Sequence, residues 1–427
     1  MYILAAQRNS GSYTYDGIEL GGERVAHEIE ETLERLAAQG CYIKKLSVVG
    51  YSLGGLVARY AVGLLQANGW LDKLEPVNFT TFVSPHVGVR SPIKGFPNHI
   101  WNVLGARTVS MSGRQLFMID QFRETGKPLL SVLADPDSIF MRGLAKFKHR
   151  SVYGNIVNDR STVFYTTGIC KVNPFTDPET TNFNYVKGYE PVVIDPHVYT
   201  LPSIEASAEE HPSFFTSTTR RFLGFFHRLP FLLFFVVFVP IGSVLFLLNS
   251  VVQNFLSQKR IKLHEQGKAG VLLGRYRVPL IVQDVRGAVE DVFEHVNASQ
   301  DAEYLSERDE EYVNRAAQQQ RRRMSRQKSL EEKDTRLVPE EPTDKIESTT
   351  TTTDDDDDDD TDLPLLALTP AQFKIIDALT SIGFHRYPVY IHKVRHSHAA
   401  IIVRMPKESF SEGKIVVKHW LDQEFKV

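Results

Sequence analysis

The sequence predicts an α/β fold built on a mainly parallel sheet, and three observations lead to this prediction. Apolar segments of strand length alternate with segments whose apolar residues recur at helical spacing. A glycine-rich pentapeptide, Gly50-Tyr51-Ser52-Leu53-Gly54, lies between an apolar strand and a helix. A polar loop, Asn158-Asp159-Arg160, comes at the end of another apolar strand. Such sheets carry their chemistry at the carboxyl ends of their strands.

The individual elements follow from residue spacing and helix-end signals. The predicted strands are Tyr2–Ala6, Leu46–Val49, Phe79–Val83, Ser151–Asn155 and Tyr387–Val394. Helices are predicted from about Gly22 to Gln39, from Gly55 to about Ala67, from Thr369-Pro370 to Gly383, and over Val416–Phe425. Threonine followed by proline is typical of a helix start, because threonine caps the helix and proline suits its first position.

Composition excludes several classes of protein. A formal net charge of -3 gives no basic field for nucleic-acid binding. Only Cys41 and Cys170 occur, which argues against a disulfide framework and favours a reducing, cytosol-facing compartment. The first residues are too short an apolar run, without a basic start, to be a secretory signal peptide. We expect neither a cofactor nor a metal.

Two segments differ from the α/β pattern. Leu229–Gln258 is a run of 30 residues without a charged side chain, which predicts a membrane-embedded segment rather than a buried helix. Asp354–Asp360 is a run of seven aspartates within a charged stretch that cannot bury a core. These features divide the chain into the first part of an α/β domain (1–215), a hydrophobic membrane segment (220–262), a disordered insertion (297–362) and the rest of the α/β domain (365–427).

The glycine-rich pentapeptide carries the chemistry. Gly-x-Ser-x-Gly between a strand and a helix is the nucleophile elbow of α/β-hydrolases, in which a tight turn lifts the serine above the sheet. A serine hydroxyl needs a histidine to take its proton and a carboxylate to orient that histidine. In this fold the chain order is serine, acid, histidine, and Asp159 suits the acid. For the histidine, His398, His396 and His197 all remain candidates from position alone.

Four segments together resemble the putative serine esterase family of fungal lipases, which includes lipid-droplet phospholipases and monoacylglycerol lipases. They are the segment Gly50–Tyr60, Ser84-Pro85-His86-Val87-Gly88, Asn158–Val163 and Ser397–Arg404. The resemblance implies that Ser52 is the nucleophile, Asp159 the orienting acid and His398 the general base. It also implies that the backbone N–H of Leu53 is one oxyanion donor.

The sequence departs from that family before Ser52. The family carries a His-Gly loop after an earlier strand, which supplies a second oxyanion N–H, and no His-Gly precedes Ser52 here. We therefore expect the chain to be an N-terminally incomplete version of a longer protein. In a complete chain, loss of one such donor costs on the order of 10²–10³ in kcat.

The position of the apolar run constrains its topology. It lies between Asp159 and His398, so a single membrane crossing would place them in different compartments. Basic residues flank both ends, and 30 residues are too few for two full spans. We expect a hairpin bent near Pro240–Gly242 that enters one leaflet of the endoplasmic reticulum membrane or the monolayer of a lipid droplet, with the catalytic part facing the cytosol.

The predicted function is therefore a serine lipase or phospholipase that cleaves acyl esters of glycerophospholipids or acylglycerols at such a surface through an acyl-enzyme. A thioesterase is the alternative within enzymes, because the same triad serves both. A catalytically impaired, membrane-anchored scaffold is the alternative from another class, and the missing His-Gly favours it. The expected partners are a lipid substrate and a membrane or droplet surface.

Overall fold

A parallel sheet organises the part of the chain that the computed structural model describes, which is residues 1–89, 110–175, 178–201, 251–264, 266 and 365–427. Its strands are β1 (Lys45–Tyr51), β2 (Glu75–Phe82), β3 (His149–Asn155) and β4 (His385–Val389). They lie in the order β1-β2-β3-β4, and each neighbouring pair is parallel. The predicted α/β fold with a parallel sheet is thus confirmed.

Helices connect and cover these strands. The α-helices are α1 (Ile18–Ala38), α2 (Leu53–Ala67), α3 (Trp70–Lys73), α4 (Met111–Leu116), α5 (Leu129–Leu133), α6 (Ile139–Ala145), α7 (Phe164–Gly168), α8 (Pro370–Ser381), α9 (Ser397–Ala400) and α10 (Ser411–His419). Short 3-10 turns lie at Gly11–Tyr15, Arg123–Thr125 and Glu408–Phe410, and a π-helical turn, Trp420–Glu424, follows α10. A further helical segment covers 251–264.

Strand alternation divides the core between the two faces of the sheet. On one face Phe79 and Val152 belong to a cluster with apolar side chains of α1, α2, α5, α6 and α8. On the other face Phe82 and Tyr153 pack with the C-terminal helices, and Trp420 closes this cluster. The sheet is therefore covered on both sides, as parallel sheets require.

Most predicted elements are present, with bounds that differ by a few residues. The predicted threonine cap of α8 is present and is part of a capping box: Thr369 Oγ1 accepts a hydrogen bond from the Gln372 backbone, and the Gln372 side chain accepts one from the Thr369 backbone. The last strand is shorter than predicted, because beyond Val389 the chain leaves β3 and Tyr390 donates its N–H to the Val192 carbonyl.

The predicted strand at Tyr2–Ala6 is wrong for this structure. Residues 1–7 have no regular secondary structure, and Ile3 is 77 % exposed. A strand needs a neighbour to pair its backbone groups, and no described strand lies beside this segment. The apolar pattern alone therefore did not predict the conformation.

Two other predictions concern residues that the structure does not describe. The proposed bend at Pro240–Gly242 and the charged insertion at 297–362 both lie outside the described ranges, as does the apolar run except for its last residues, 251–258. Among the helices of the described residues, none combines the length and apolarity needed to cross a bilayer.

Candidate active site

Ser52 occupies a strained turn between β1 and α2. Its φ of 53° lies in the left-handed region, which a residue with a side chain adopts only when its surroundings impose it. Added Cβ atoms at Gly50 and Gly55 would collide with Gly55 Cα and Ser84 Oγ respectively, whereas one at Gly54 would meet no described atom within 4 Å. The tight turn therefore depends on Gly50 and Gly55, and the second glycine of the Gly-x-Ser-x-Gly pattern faces open space.

Hydrogen bonds join Ser52, His398 and Asp159 in one relay. His398 Nε2 lies 3.0 Å from Ser52 Oγ, and His398 Nδ1 lies 2.9 Å from Asp159 Oδ2 and 3.2 Å from its Oδ1. Because a carboxylate only accepts hydrogen bonds, Nδ1 carries the proton and Nε2 is left to accept the serine hydroxyl. This is the arrangement in which a histidine can remove the proton of a serine.

A polar turn after β3 holds the carboxylate of Asp159. The backbone N–H groups of Ser161 and Thr162 each donate to Oδ1 at 2.9 Å, and the Thr162 hydroxyl donates to Oδ2 at 3.2 Å. Asn155 Nδ2 donates to the same Oδ2 at 3.2 Å. The carboxylate is thus fixed from three sides, which leaves its remaining face for His398.

These contacts decide the charge of Asp159. Burial raises the pKa of its carboxyl, but the hydrogen bond and charge of His398 and the N–H groups of Thr162 and Ser161 outweigh it, so the net pKa lies below the ordinary value. Its side chain is only 2 % exposed, against 18 % for His398. Asp159 is therefore a buried anion, and the ring that it orients remains accessible.

Two contacts place His398 at the relay although it follows a distant strand. The hydroxyl of Ser397, which is fully buried, donates to the Val157 carbonyl at 2.9 Å and so attaches α9 to the end of β3. Tyr51 Oη donates to the His398 carbonyl at 3.0 Å, and the two rings are 5.3 Å apart. Tyr51 directly precedes Ser52, so one residue connects the histidine to the turn of the nucleophile.

The other histidines that the sequence left open lie elsewhere. His396 caps the start of α9 and lines the cleft, but its ring makes no described contact with Ser52 or Asp159. His197 is exposed, and its backbone N–H donates to Asp195 Oδ1. His86, from the loop after β2, is fully buried against Thr81 Oγ1 at 2.8 Å, and burial lowers its pKa well below the ordinary value.

Leu53 lies where an oxyanion donor is expected. It is the first residue of α2, so its backbone N–H has no acceptor within the helix. The partial positive charge of the helix N-terminus points toward the same place. The adjacent N–H of Ser52 is already engaged, because it donates to the carbonyl of Phe82 at the end of β2, at 2.9 Å.

Sequence reasoning missed the residues that support the relay. Thr162 and Asn155 hold Asp159, and Tyr51 holds His398. Of these three residues, only Thr162 could have been recognised from the local sequence. A serine two positions and a threonine three positions after an aspartate are typical of a turn that the aspartate carboxylate closes. Asn155 and Tyr51 act through tertiary contacts.

The relay opens into a cleft of about 500 Å³ beside His398. Tyr51 and Ala399 form the part of its wall closest to the relay, and the segment 404–410 forms the far side. Among the residues that the structure describes, no group of three or more His, Cys, Asp or Glu side chains is arranged to hold a metal ion.

Comparison with known proteins finds a family similar to part of this chain. Residues 1–172 match the family described as "Putative serine esterase (DUF676)". The serine esterase match includes Ser52 and Asp159, whereas His398 lies beyond it and is brought to them by the fold.

Fungal relatives of this serine esterase segment carry related names. It is 31 % identical over 169 residues to "Putative lipase ROG1" of Saccharomyces cerevisiae, covering 39 % of this chain and 23 % of the relative. "Putative lipase YDL109C" of the same yeast is 31 % identical over 129 residues, 30 % of this chain and 19 % of its own length. "Putative lipase C4A8.10" of Schizosaccharomyces pombe is 25 % identical over 242 residues, 52 % of this chain and 30 % of its own.

The chain thus spans less than a third of the length of these curated relatives. No solved structure matches it. The comparisons thus relate this chain to proteins described as putative serine esterases and putative lipases.

Proposed function

We propose that this protein is a serine hydrolase that cleaves acyl esters of glycerophospholipids or acylglycerols through Ser52, His398 and Asp159. The observation that carries the proposal is the unbroken relay from Asp159 through both ring nitrogens of His398 to Ser52 Oγ. It is formed on a strained strand-to-helix turn of a parallel sheet with helices on both faces, which is the arrangement expected of an α/β-hydrolase.

The chemistry follows from the roles of the three side chains. His398 Nε2 takes the hydroxyl proton while Ser52 Oγ attacks the ester carbonyl, and the oxyanion that forms lies toward the Leu53 N–H. The protonated ring then gives its proton to the leaving alcohol, which leaves the acyl group on Ser52. Water, deprotonated by the same nitrogen, releases the acid and restores the serine. Asp159 stabilises the charged ring throughout.

Active-site labelling tests the role of Ser52. We expect a fluorophosphonate probe to label the full chain, and Ser52→Ala to abolish labelling. Ser381→Ala is the matched control, because this serine ends α8 and its hydroxyl donates to the Ala378 carbonyl, away from the relay. An unlabelled wild-type chain, or labelling that survives Ser52→Ala, refutes the proposal. Esters and thioesters of one acyl chain, assayed in parallel, separate a lipase from a thioesterase.

The proposal includes action at a membrane or lipid-droplet surface, facing the cytosol, with the apolar run as a hairpin anchor. Its support is the described helix 251–264, which contains the end of that run. Polar contacts attach this helix beside α1: Ser257 Oγ donates to the Tyr15 carbonyl at 3.1 Å, Arg260 donates to both oxygens of Asp16, and His264 Nε2 lies 2.6 Å from Glu23 Oε2.

The opposite side of the same helix is apolar. In the described part of the structure, Val251, Val252 and Phe255 are 67 %, 54 % and 69 % exposed. A surface of this kind next to an uncharged segment suits the apolar interior of a lipid layer.

Flotation with phosphatidylcholine-coated triolein droplets tests this attachment. We expect the full chain to float, and the double variant Val251→Asp/Phe255→Asp to float less. Leu421→Asp, which changes an exposed apolar side chain on the C-terminal turn, is the control and should float like the wild type. Failure of the wild-type chain to float refutes the surface part of the proposal and leaves the chemistry of Ser52 to its own test.

A further inference from the structure

The cleft beside His398 has an unbalanced charge. Four cationic side chains line it, namely Arg160, Arg395, Arg404 and Lys407, and no aspartate or glutamate is among its lining residues. Among the described residues, none of the four forms an ion pair with a carboxylate. Elsewhere in the same structure, exposed cations such as Lys146 and Lys148 pair with Asp72 and Glu75. The cleft lining therefore concentrates positive charge without a carboxylate of its own.

These cations come from separate segments that the fold brings together. Arg160 follows Asp159 on the turn after β3, Arg395 precedes α9, and Arg404 and Lys407 lie between α9 and α10. Low-dielectric walls that carry charge of one sign focus the field into a cleft and raise the local concentration of ions of the opposite sign. Guanidinium groups also bind phosphate and carboxylate oxygens in pairs, which an isolated surface lysine does not.

One of the cations lies close to a residue that contacts the catalytic relay. Arg404 opposes the rise that burial causes in the pKa of the Tyr51 phenol, and that phenol donates to the carbonyl of His398. Tyr51 is the neighbour of Ser52 in the chain. His398 lines the same cleft, so the cations share a wall with the proposed general base.

Apolar side chains, namely Val394, Ala399, Met405 and Phe410, also line the cleft, together with polar ones such as Asn158, Ser161 and Ser409. Methylene groups of a glycerol backbone fit such a surface, and a free inorganic ion makes no use of it. The composition of the cleft therefore matches an amphiphile better than a bare anion.

We infer that this cleft is a headgroup subsite for an anionic group, and that it makes acyl esters bearing a phosphate near the scissile bond the preferred substrates. The inference rests on the proposed function for its substrate, but binding of the anion does not depend on catalysis. A lipid that lacks the anion, such as a monoacylglycerol, leaves the cations without a partner and so gains less binding energy from the cleft.

The first experiment measures binding without chemistry. Calorimetric titration of the full chain carrying Ser52→Ala compares glycerol 3-phosphate, glycerol and inorganic phosphate. We expect glycerol 3-phosphate to bind more tightly than either. Arg395→Gln/Lys407→Gln should weaken it by about tenfold or more, since two charge-assisted contacts are lost.

Arg142→Gln/Lys393→Gln is the matched control, because it removes one arginine and one lysine that are exposed but do not line the cleft. Arg404 is left intact because it also acts on the pKa of Tyr51, the neighbour of Ser52. The subsite is overturned if glycerol binds as well as glycerol 3-phosphate, or if both double variants lose the same affinity. Equal binding of inorganic phosphate overturns the headgroup assignment and indicates a site for the free ion.

The second experiment measures preference during turnover. The ratio of kcat/KM for a 1-acylglycerol 3-phosphate to that for the 1-acylglycerol of the same chain should exceed one. Arg395→Gln/Lys407→Gln should lower this ratio about tenfold, and the control pair should not. An unchanged ratio overturns the inference. Cleft-dependent binding without any hydrolysis refutes the proposed function and leaves the anion subsite standing, so the two failures are distinguishable.

Discussion

Two histidines of the C-terminal helices, His398 in α9 and His419 at the end of α10, differ in what surrounds them. His398 contacts a carboxylate through one nitrogen and a serine through the other, and it faces a cleft. His419 Nδ1 lies 2.9 Å from the Tyr153 hydroxyl, and the rings of Tyr189 and Tyr387 pack against it. His419 is 1 % exposed, and burial lowers its pKa to about 4.

The difference teaches which surroundings indicate function. A buried neutral imidazole between phenol rings contributes hydrogen bonding and packing, and no solute can reach it. An imidazole with an orienting carboxylate, a hydroxyl and access to solvent can move a proton. A hydrogen bond alone does not separate the two, because each ring makes one at about the same length. The following predictions test the contrast, from the largest expected effect to the smallest.

Replacing the proposed base should remove activity. We expect His398→Gln to lower kcat/KM for an acyl ester by roughly 10⁴–10⁶, because Ser52 then has no group to take its proton. His419→Gln should retain most of the activity under conditions where it is folded. Steady-state assays on both variants test this. A loss of comparable size in His419→Gln, with its fold intact by circular dichroism, would contradict the contrast.

Removing the charge of the orienting acid is expected to have the next largest effect. Asp159→Asn should lower kcat by about 10⁴, because the amide no longer stabilises the imidazolium and favours the wrong tautomer. Asn155→Ala, which deletes one neighbour of that carboxylate, is the comparison and should have a much smaller effect. Pre-steady-state acylation rates measure both. Equal losses in the two variants would show that positioning, and not charge, dominates.

Replacing the buried ring should reduce stability. We expect His419→Leu to lower the free energy of unfolding by about 1–3 kcal/mol, because the Tyr153 hydroxyl loses its partner inside the protein. In a Tyr153→Phe background the same substitution should cost less, since no phenol then remains unsatisfied. Urea unfolding of the wild type, the two single variants and the double variant gives the coupling energy between His419 and Tyr153. Costs that add without coupling would show that the hydrogen bond contributes little.

The smallest effect is a pH dependence. In the folded chain the pKa of His419 is about 4, below its ordinary value near 6.5. Between pH 4 and pH 6.5 the unfolded chain therefore binds a proton that the folded chain does not. The stability that the neutral ring contributes is present above pH 6.5 and is lost as the pH falls toward 4.

Between pH 7 and pH 4.5, we expect the free energy of unfolding of the wild type to fall by on the order of 1 kcal/mol relative to that of His419→Leu. His264 and His385, whose pKa values hydrogen bonds to Glu23 and Glu424 raise, act in the opposite direction in both chains and cancel in the difference. Urea unfolding at several pH values measures it. A difference that does not change with pH would show that His419 titrates normally.

Local patterns were sufficient to predict several parts of the molecule. The turn at Ser52 was predictable because the strand, the glycines and the helix are adjacent in the chain. The start of α8 was predictable because Thr369 and Gln372 satisfy each other within one turn. The α/β class followed from the alternation of strands and helices.

Other parts depend on contacts that no local pattern contains. Tyr2–Ala6 has the apolar residues of a strand but lacks a partner in the structure. His398 could be distinguished from His396 and His197 only through the resemblance or the fold, because its proximity to Asp159 arises from the Ser397–Val157 contact. The four cations of the cleft come from three separate segments, so the sequence alone could not predict that they line one surface.

The separation of the relay along the chain has a consequence for folding kinetics. His398 and Asp159 are 239 positions apart, and His398 and Ser52 are 346 apart. Contacts this distant are among the slowest to form, although the entropy of closing a loop grows only with the logarithm of its length. A nascent chain can pair β1, β2 and β3 long before α9 leaves the ribosome. Ser52 therefore meets its proposed base only after α9 has been synthesised, and we expect it to stay unreactive until β4 and α9 have joined the fold.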